Sequence, residues 1–227
     1  MISFENTEVM NIEGAIRGMR NPLNSWEKSD SVFRYGNCNN DCPDCKGCTV
    51  LKGMCFKLGK NDLDLARCLI AAGSDHRKFL RQIFVSVDIT APLYWWKEFD
   101  TYKVATVANS CSTMHKIHSR DLTLNDFSYE YLLSSNGKNG GPLDTLERVI
   151  SDINYWRERY VKTKNKLYWW QIIQLLPSSY NQRRTVTLNY ETLRNIYGSR
   201  RNHKLDEWSI GFMEWIDSLP YADDLIK

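Results

Sequence analysis

Nine residues, Gln82 to Thr90 (QIFVSVDIT), constrain the fold of this chain more than any other stretch. Val85, Val87 and Ile89 alternate there with Ser86 and Asp88. Period-two alternation of β-branched residues is the pattern of a half-buried strand, which needs partner strands beside it and a packed layer on one face. Elsewhere the apolar period is helical. Leu146, Val149, Ile150, Ile153 and Trp156 recur at helical spacing after the loop SSNGKNGG (134–141) and Pro142, a residue that a first helical turn tolerates. The spacing predicts a helix running from there to Leu176, where Pro177 stops it.

Asn61 or Asp62 is placed to cap a helix carrying Leu65, Ala66, Leu69 and Ile70, with Gly73 to end it. A short helix is expected within His76 to Gln82, and partial helix within Leu93 to Met114. Arg184 to Leu188 (RTVTL) reads as a second strand. Thr192 to Arg200 and the segment holding Trp208, Phe212, Trp215 and Ile216 read as helices. Residues 1–60 read as irregular, because Pro22, Gly36, a cysteine run and Gly53 interrupt any period. Helices with a few strands between them give the α+β class: a small mixed or antiparallel sheet packed by long helices, in one domain over residues 1–227.

Hydrophobic residues make up 42% of the chain and charged residues 25%, a globular composition that excludes a disordered one. The net charge of +3 is too small to suggest a nucleic-acid polymer as partner and favours small anions only mildly. The best apolar run, Gln82 to Thr90, is broken by Asp88, so no membrane-spanning segment is expected. The first twenty residues lack the apolar core of a secretory signal. A cytoplasmic, reducing compartment follows as the expectation, in which cysteines stay as thiols or bind metal. Eight tryptophans and twelve tyrosines suit either an aromatic core or stacking surfaces for planar ligands such as flavins.

Cys38, Cys42, Cys45, Cys48 and Cys55 crowd one loop, at about 36–58. Four thiolates can hold zinc tetrahedrally, so these five are candidate ligands of a structural zinc; reduced, unliganded thiols and an iron–sulfur cluster are the alternatives. The spacing Cys38-x3-Cys42-x2-Cys45 also matches the cluster triplet of radical S-adenosylmethionine enzymes. The chain shows no succession of β/α units to form their partial barrel.

Asn189, Asn195 and Arg200 are the most informative polar set. At 100° per residue, steps of six and eleven put Asn195 roughly opposite Asn189 and Arg200 about 20° from it. One helix face can then present an amide at its start and a guanidinium three turns on; an N-cap asparagine with a solvated arginine fits the same spacing.

The segment LLPSSYNQRRTVTLNYETLRNIYGSRRNHKLDEW resembles the C-terminal signature of flavin-dependent thymidylate synthases. That signature has a Leu-Pro, a short strand, an asparagine opening a helix, a second asparagine six residues on and an arginine five beyond. Leu176-Pro177, Thr185 to Leu188, Asn189, Asn195 and Arg200 follow it with one added residue before the strand. The resemblance implies that Asn189 and Asn195 help hold a flavin and that Arg200 lies against a pyrimidine ring. Methylene transfer to C5 of a uracil builds charge on the ring carbonyls and N3, and a fixed cation stabilises charge where it develops. Arginine suits that role because it keeps its proton and offers planar donors.

A second resemblance runs from Leu69 to Lys116. Anchored on Ala91-Pro92, it sets Thr101-Tyr102-Lys103 on the Arg-His-Arg of the family motif R-H-R-x-x-S-x-N-E-x-S-x-R-Y. With one inserted residue, Thr106, Asn109, Ser110, Ser112, Met114 and His115 fall on the rest. Lys103, Thr106, Asn109 and Ser112 keep the motif's chemistry or something near it. Thr101, Tyr102, Ser110 and Met114 replace its first arginine, histidine, glutamate and last arginine. Glu98 stands where the family has a glutamine facing the nucleotide, and Ile173 replaces an arginine four residues before the proline. Lys97, Lys103, Arg183 and Arg184 are the cations at hand to compensate, since a nucleotide phosphate is held by several charge-assisted hydrogen bonds.

The resemblance thus implies reductive methylation of dUMP to dTMP by a homotetramer, with FAD as cofactor and methylenetetrahydrofolate and NADPH as co-substrates. Arg200 and Ser112 are the implied catalytic residues, Ser112 as a positioning group beside the uracil, since no adjacent base activates it as a nucleophile. Asn189, Asn195, Lys103, Thr106, Asn109, His76 and His203 are the candidates for the flavin. Glu98, Ser110, Ser112, Arg183, Arg184 and Arg200 are those for the nucleotide. The paired tryptophans Trp95, Trp96, Trp169 and Trp170 read as core, subunit interface or flavin-facing surface. A flavoprotein acting on another pyrimidine nucleotide, and a non-catalytic nucleotide- or partner-binding protein of the same fold, stand as alternatives.

Overall fold

A computed structural model describes residues 2–35, 49–51, 54–134 and 140–227. In chain order its elements begin with β1 (Ser3–Met10), α1 (Ile12–Met19), β2 (Val32–Tyr35), β3 (Thr49–Leu51), β4 (Met54–Lys57), α2 (Lys60–Ala71), β5 (Phe84–Pro92) and α3 (Leu93–Phe99). There follow β6 (Val107–Ser110), α4 (Thr113–Lys116), α5 (Pro142–Thr163), α6 (Lys166–Leu175), β7 (Asn181–Asn189) and α7 (Tyr190–Arg200). A π-helical turn, Glu207–Phe212, then leads into α8 (Met213–Asp217), and α9 (Ala222–Leu225) closes the chain. The α+β class expected from the sequence is the class found.

Strands β1-β5-β7-β6 form one sheet in that order, and β2-β4-β3 form a second. Tyr190 N–H donates to Ile83 O, while Leu93 N–H donates to Tyr180 O, so β5 and β7 run antiparallel. Val85, Val87, Ile89, Val186 and Leu188 are all fully buried. Each such side chain contributes about 1.5–3 kcal/mol by leaving water, which is why the alternation in β5 is a dependable signal. Val32 lies opposite Lys57 and Tyr35 opposite Met54 in the antiparallel β2–β4 pair.

The chain divides into two compact units whose boundaries fall inside β5 and β7. The first comprises Met1–Ser3, Ile89–Thr101 and Asn109–Arg184. Its core gathers Leu146, Ile150 and Ile153 of α5 with Ile172 of α6, Ile117, Leu122 and Phe127, and Ile173 packs on that core. Asn154 accepts from Leu122 N–H and donates to Leu122 O, both at 2.8 Å, fixing the segment before α5 against the helix. The second unit comprises Phe4–Asp88, Tyr102–Ala108 and Thr185–Lys227. There Trp208, Phe212, Met213, Trp215 and Ile216 are buried, and Phe4 stacks on Trp215 with ring centroids 4.9 Å apart.

Four expectations change. Residues 1–60 hold β1, α1 and β2–β4 rather than irregular chain. In β1 the residue Asn6 takes a left-handed φ of 52°, which breaks the side-chain alternation much as a bulge does and hides the strand from a period search. In α1, Ile12, Ala15, Ile16 and Met19 form a buried helical stripe that Gly14 and Gly18 mask in the sequence. Second, α2 begins after Gly59, and the Asp30 carboxylate receives the N–H groups of Asn61 and Asp62 at 3.0 and 3.2 Å. Asp62 is no cap; it is buried and bonded to Arg20.

Third, the helix expected to reach Leu176 breaks at Lys164, which turns left-handed at φ 57°. Asn165 then caps α6 by accepting from Leu167 N–H at 3.0 Å, and α6 packs against α5. Fourth, the last helix starts as a π turn, a geometry that recurs at functional sites. Of the expected zinc ligands, Cys38, Cys42, Cys45 and Cys48 lie outside the described residues, and Cys55 is buried in β4. Among the described residues no group of histidine, cysteine or carboxylate side chains is arranged to hold a metal, and no helix is long and apolar enough to cross a membrane.

Candidate functional site

Arg200 ends α7 in the second unit, where a cation is favoured by the helix dipole. Its Nε–H donates to the Tyr102 hydroxyl at 2.8 Å. Its guanidinium carbon lies 5.6 Å from the Tyr102 ring centroid and 5.3 Å from that of Trp208, both within cation–π range. Trp208 is fully buried on the π turn. His203 reaches the same indole edge-on, centroids 6.4 Å apart, and its Nδ1 accepts from Leu205 N–H. That bond assigns the ring proton of neutral His203 to Nε2.

Asn189 is the N-cap of α7 and is 3% exposed. Its side-chain oxygen accepts from Thr192 N–H at 2.9 Å and from the Thr192 hydroxyl at 3.1 Å, while its amide donates to Arg81 O at 3.3 Å. The amide at the start of the helix is therefore turned inward as a cap. Asn195 is exposed. Thr192 Oγ1 also donates to Val104 O at 3.1 Å, tying down the short run that carries Tyr102, Lys103 and Thr106. Lys103 is exposed and Thr106 half-buried, with Ala105 between them at φ 55°. His76 is exposed beyond α2.

A second polar cluster lies within the first unit. Arg184 donates from Nε to Gln182 Oε1 at 3.0 Å, pairs with Asp100 at 2.7 Å and stacks over Trp96 with its guanidinium carbon 4.2 Å from the ring centroid. Trp96 in turn donates to Gln182 O at 2.9 Å. The Gln182 amide continues the chain, donating to Cys111 O and to Thr113 Oγ1 at 2.9 and 3.1 Å. Of the two arginines offered as compensating cations, Arg184 is thus neutralised and held.

Arg183 lines a cavity of about 180 Å³ with Ser112, Lys116, Ser119, Arg120 and Tyr180. Three cationic residues and several that carry hydroxyls line it, residue types suited to an oxyanion. Arg120 is engaged by Asp126 and by Asp121 O. Burial pushes the Tyr180 phenol above its ordinary pKa, and the Asp126 carboxylate adds to the rise, so it stays protonated as a donor. Ser112 caps α4 by accepting the backbone N–H of His115 at 3.1 Å; the His115 side chain itself is exposed.

Glu98 is half-buried on α3, and its main-chain oxygen receives the Thr101 hydroxyl at 2.7 Å. Asn109 and Ser110 sit exposed on β6. Trp95 and Trp96 are core, packed edge-to-face at 4.9 Å, whereas Trp170 is 41% exposed. Sequence reasoning brought Ser112 and Arg183 to one place but missed Lys116, Arg120, Tyr180 and Gln182. The signal for the first two was the basic run His115 to Arg120 (HKIHSR). It also treated Tyr102 only as a lost histidine and overlooked Trp208 as its counterpart across Arg200.

The chain has the α+β fold of flavin-dependent and related nucleotide methylases. No protein-family model matches it, and no curated protein does. Among solved structures it is similar to thymidylate synthase X from Helicobacter pylori with FAD and dUMP, at a TM-score of 0.66 and 13% identity, covering 100% of this chain and 98% of that one. It is also similar to the UMP/dUMP methylase PolB from Streptomyces cacaoi. With 5-Br dUMP bound, that protein gives a TM-score of 0.58 at 13% identity, over 98% of this chain and 93% of that one. With 5-Br UMP bound, it gives 0.52 at 15% identity, over 91% and 79%.

Proposed function

We propose that this protein is a flavin-dependent enzyme that methylates C5 of a pyrimidine nucleotide reductively, converting dUMP to dTMP with methylenetetrahydrofolate and NADPH, as a homotetramer. One observation carries the reading. On a chain with this fold, Arg200 stands at the end of α7, where the resemblance implies a pyrimidine-facing cation, and its guanidinium is held by Tyr102 and Trp208 rather than left to solvent motion. A held cation stabilises charge that builds on a uracil ring, because its orientation costs nothing at the moment of reaction.

The cavity in the first unit, taken by itself, suits an anionic ligand of the phosphate class. Lys116, Arg183, Ser112 and Tyr180 offer donors for a phosphate monoester, in place of the arginines missing from the central motif. For FAD, the family resemblance points to Lys103 as a cation for a diphosphate and to Asn195, His76 and His203 as N–H donors for ring carbonyls. Asn189 supports that site only indirectly, through the cap it gives α7. FAD, when bound, supplies the hydride chemistry, and this chain's residues bind and orient.

The test has two parts. The purified protein should carry or take up FAD, seen as flavin absorbance, and should convert dUMP to dTMP when given both co-substrates. Arg200→Ala should lower turnover by about 10²-fold or more, the loss typical of removing one donor at developing charge. Full turnover in that variant, or no flavin and no pyrimidine nucleotide bound by the wild type, rules the reading out. UMP in place of dUMP is the second reading, supported by the likeness to the methylase solved with 5-Br UMP. Direct competition between the two nucleotides decides it.

A further inference from the structure

Arginine side chains carry about 2 kcal/mol of rotamer entropy, and one at a helix end ordinarily sweeps through several rotamers. Three contacts within the second unit restrict Arg200. Its Nε–H is bonded to the Tyr102 hydroxyl at 2.8 Å, the Tyr102 ring lies 5.6 Å from the guanidinium carbon, and Trp208 lies 5.3 Å from it. Trp208 cannot give way, being fully buried among the aromatics of the π turn, with Phe212 5.1 Å from it. Tyr102 is held as well. Its ring meets Trp208 edge-on at 6.2 Å, and the carbonyl of Val104, two residues on, is tied to Thr192 of α7. The phenol and the arginine it binds are thus anchored to the same helix.

We infer that Tyr102 is a positioning residue: by accepting the Nε–H bond it fixes the plane of the Arg200 guanidinium for a planar, oxygen-bearing ligand. A benzene ring at this place would keep the ring contact and lose the acceptor, so the hydroxyl is the decisive group. The ligand side of this inference rests on the proposed pyrimidine site; the orienting bond does not.

Tyr102→Phe tests it with two readouts. The first is exchange of the Arg200 Nε–H with water by nitrogen-15 NMR, the signal being assigned by its loss in Arg200→Lys. The second is affinity for dUMP by calorimetry. A hydrogen bond to a charged group is worth enough that exchange should quicken and dUMP affinity should fall, each about tenfold. Arg200→Ala leaves no donor for the Tyr102 hydroxyl, so adding Tyr102→Phe to it should cost no further affinity. Equal exchange rates in wild type and Tyr102→Phe overturn the inference, as does an unchanged dUMP affinity or an additive double variant. If the wild type binds no pyrimidine nucleotide, the proposed function fails, and the exchange rates alone decide whether Tyr102 orients Arg200. Tyr102 is half-buried and the change removes one oxygen, so circular dichroism should match the wild type.

Discussion

Replacing Asp62 with asparagine is the perturbation whose size the structure defines best. The Asp62 carboxylate is fully buried and accepts from Arg20 Nε at 2.6 Å, Ser29 Oγ at 2.8 Å, Ser31 Oγ at 2.5 Å, and the main-chain N–H groups of Asp30 and Ser31 at 3.3 and 3.1 Å. Arg20 is 3% exposed and also donates to Ser25 O. An asparagine at this position would keep the shape but turn one acceptor oxygen into an NH₂ donor. The serine hydroxyls can rotate to accept from it; the two N–H groups cannot. Arg20 would also be left as a buried cation without its counter-charge. Removing one partner of a buried pair costs about 3–5 kcal/mol, a large share of the roughly 5–15 kcal/mol that holds a typical protein folded.

Urea unfolding at neutral pH should therefore show that loss, with a drop in Tm of about 6–20 °C for a chain of this size. The pH dependence is a second check. Burial raises the Asp62 pKa, but the hydrogen bonds from Ser31 and Ser29 and the Arg20 guanidinium outweigh it and leave the folded value below the ordinary one. A depressed carboxylate stabilises fully above its unfolded pKa, about 3.9, and loses that contribution as pH falls through the folded value. The gap between wild type and Asp62→Asn should narrow below about pH 4. A loss under about 1 kcal/mol at neutral pH, or a gap that widens in acid, would show that the buried Arg20–Asp62 pair does not hold the fold together.

Lys116→Ala should weaken dUMP binding by about tenfold, the value of one charge-assisted contact, while leaving deoxyuridine binding unchanged. Equal losses for both ligands, by calorimetry, would mean that the cavity does not read the phosphate. The Asp100–Arg184 pair should behave asymmetrically. Asp100→Ala should cost at most about 1 kcal/mol, because Asp100 is 52% exposed, whereas Arg184→Ala should cost about 2 kcal/mol by also losing Gln182 and the Trp96 face. Equal costs in thermal unfolding would refute the role given to Trp96.

The sequence alone determined what depends on one unbroken local period or on a glycine that ends a helix. Val85, Val87 and Ile89 announced β5 because alternation and burial coincide there. Leu193 and Ile196 announced α7, and Gly73, with its φ of 104°, marked the end of α2. The resemblance of the C-terminal third picked out Arg200 from spacing. Local interruptions hid the rest: Asn6 breaks the alternation of β1, and Lys164 turns left-handed inside what reads as one long helix. Only the tertiary structure could decide which side chains share a neighbourhood. Tyr102 and Arg200 are 98 positions apart, Arg20 and Asp62 are 42 apart, and no local pattern relates either pair. Asn189 shows the same division at a single residue. Its spacing fitted a helix cap as well as a ligand contact, and it was the tertiary structure that brought Thr192 and Arg81 within hydrogen-bond reach of its amide and made it the cap of α7.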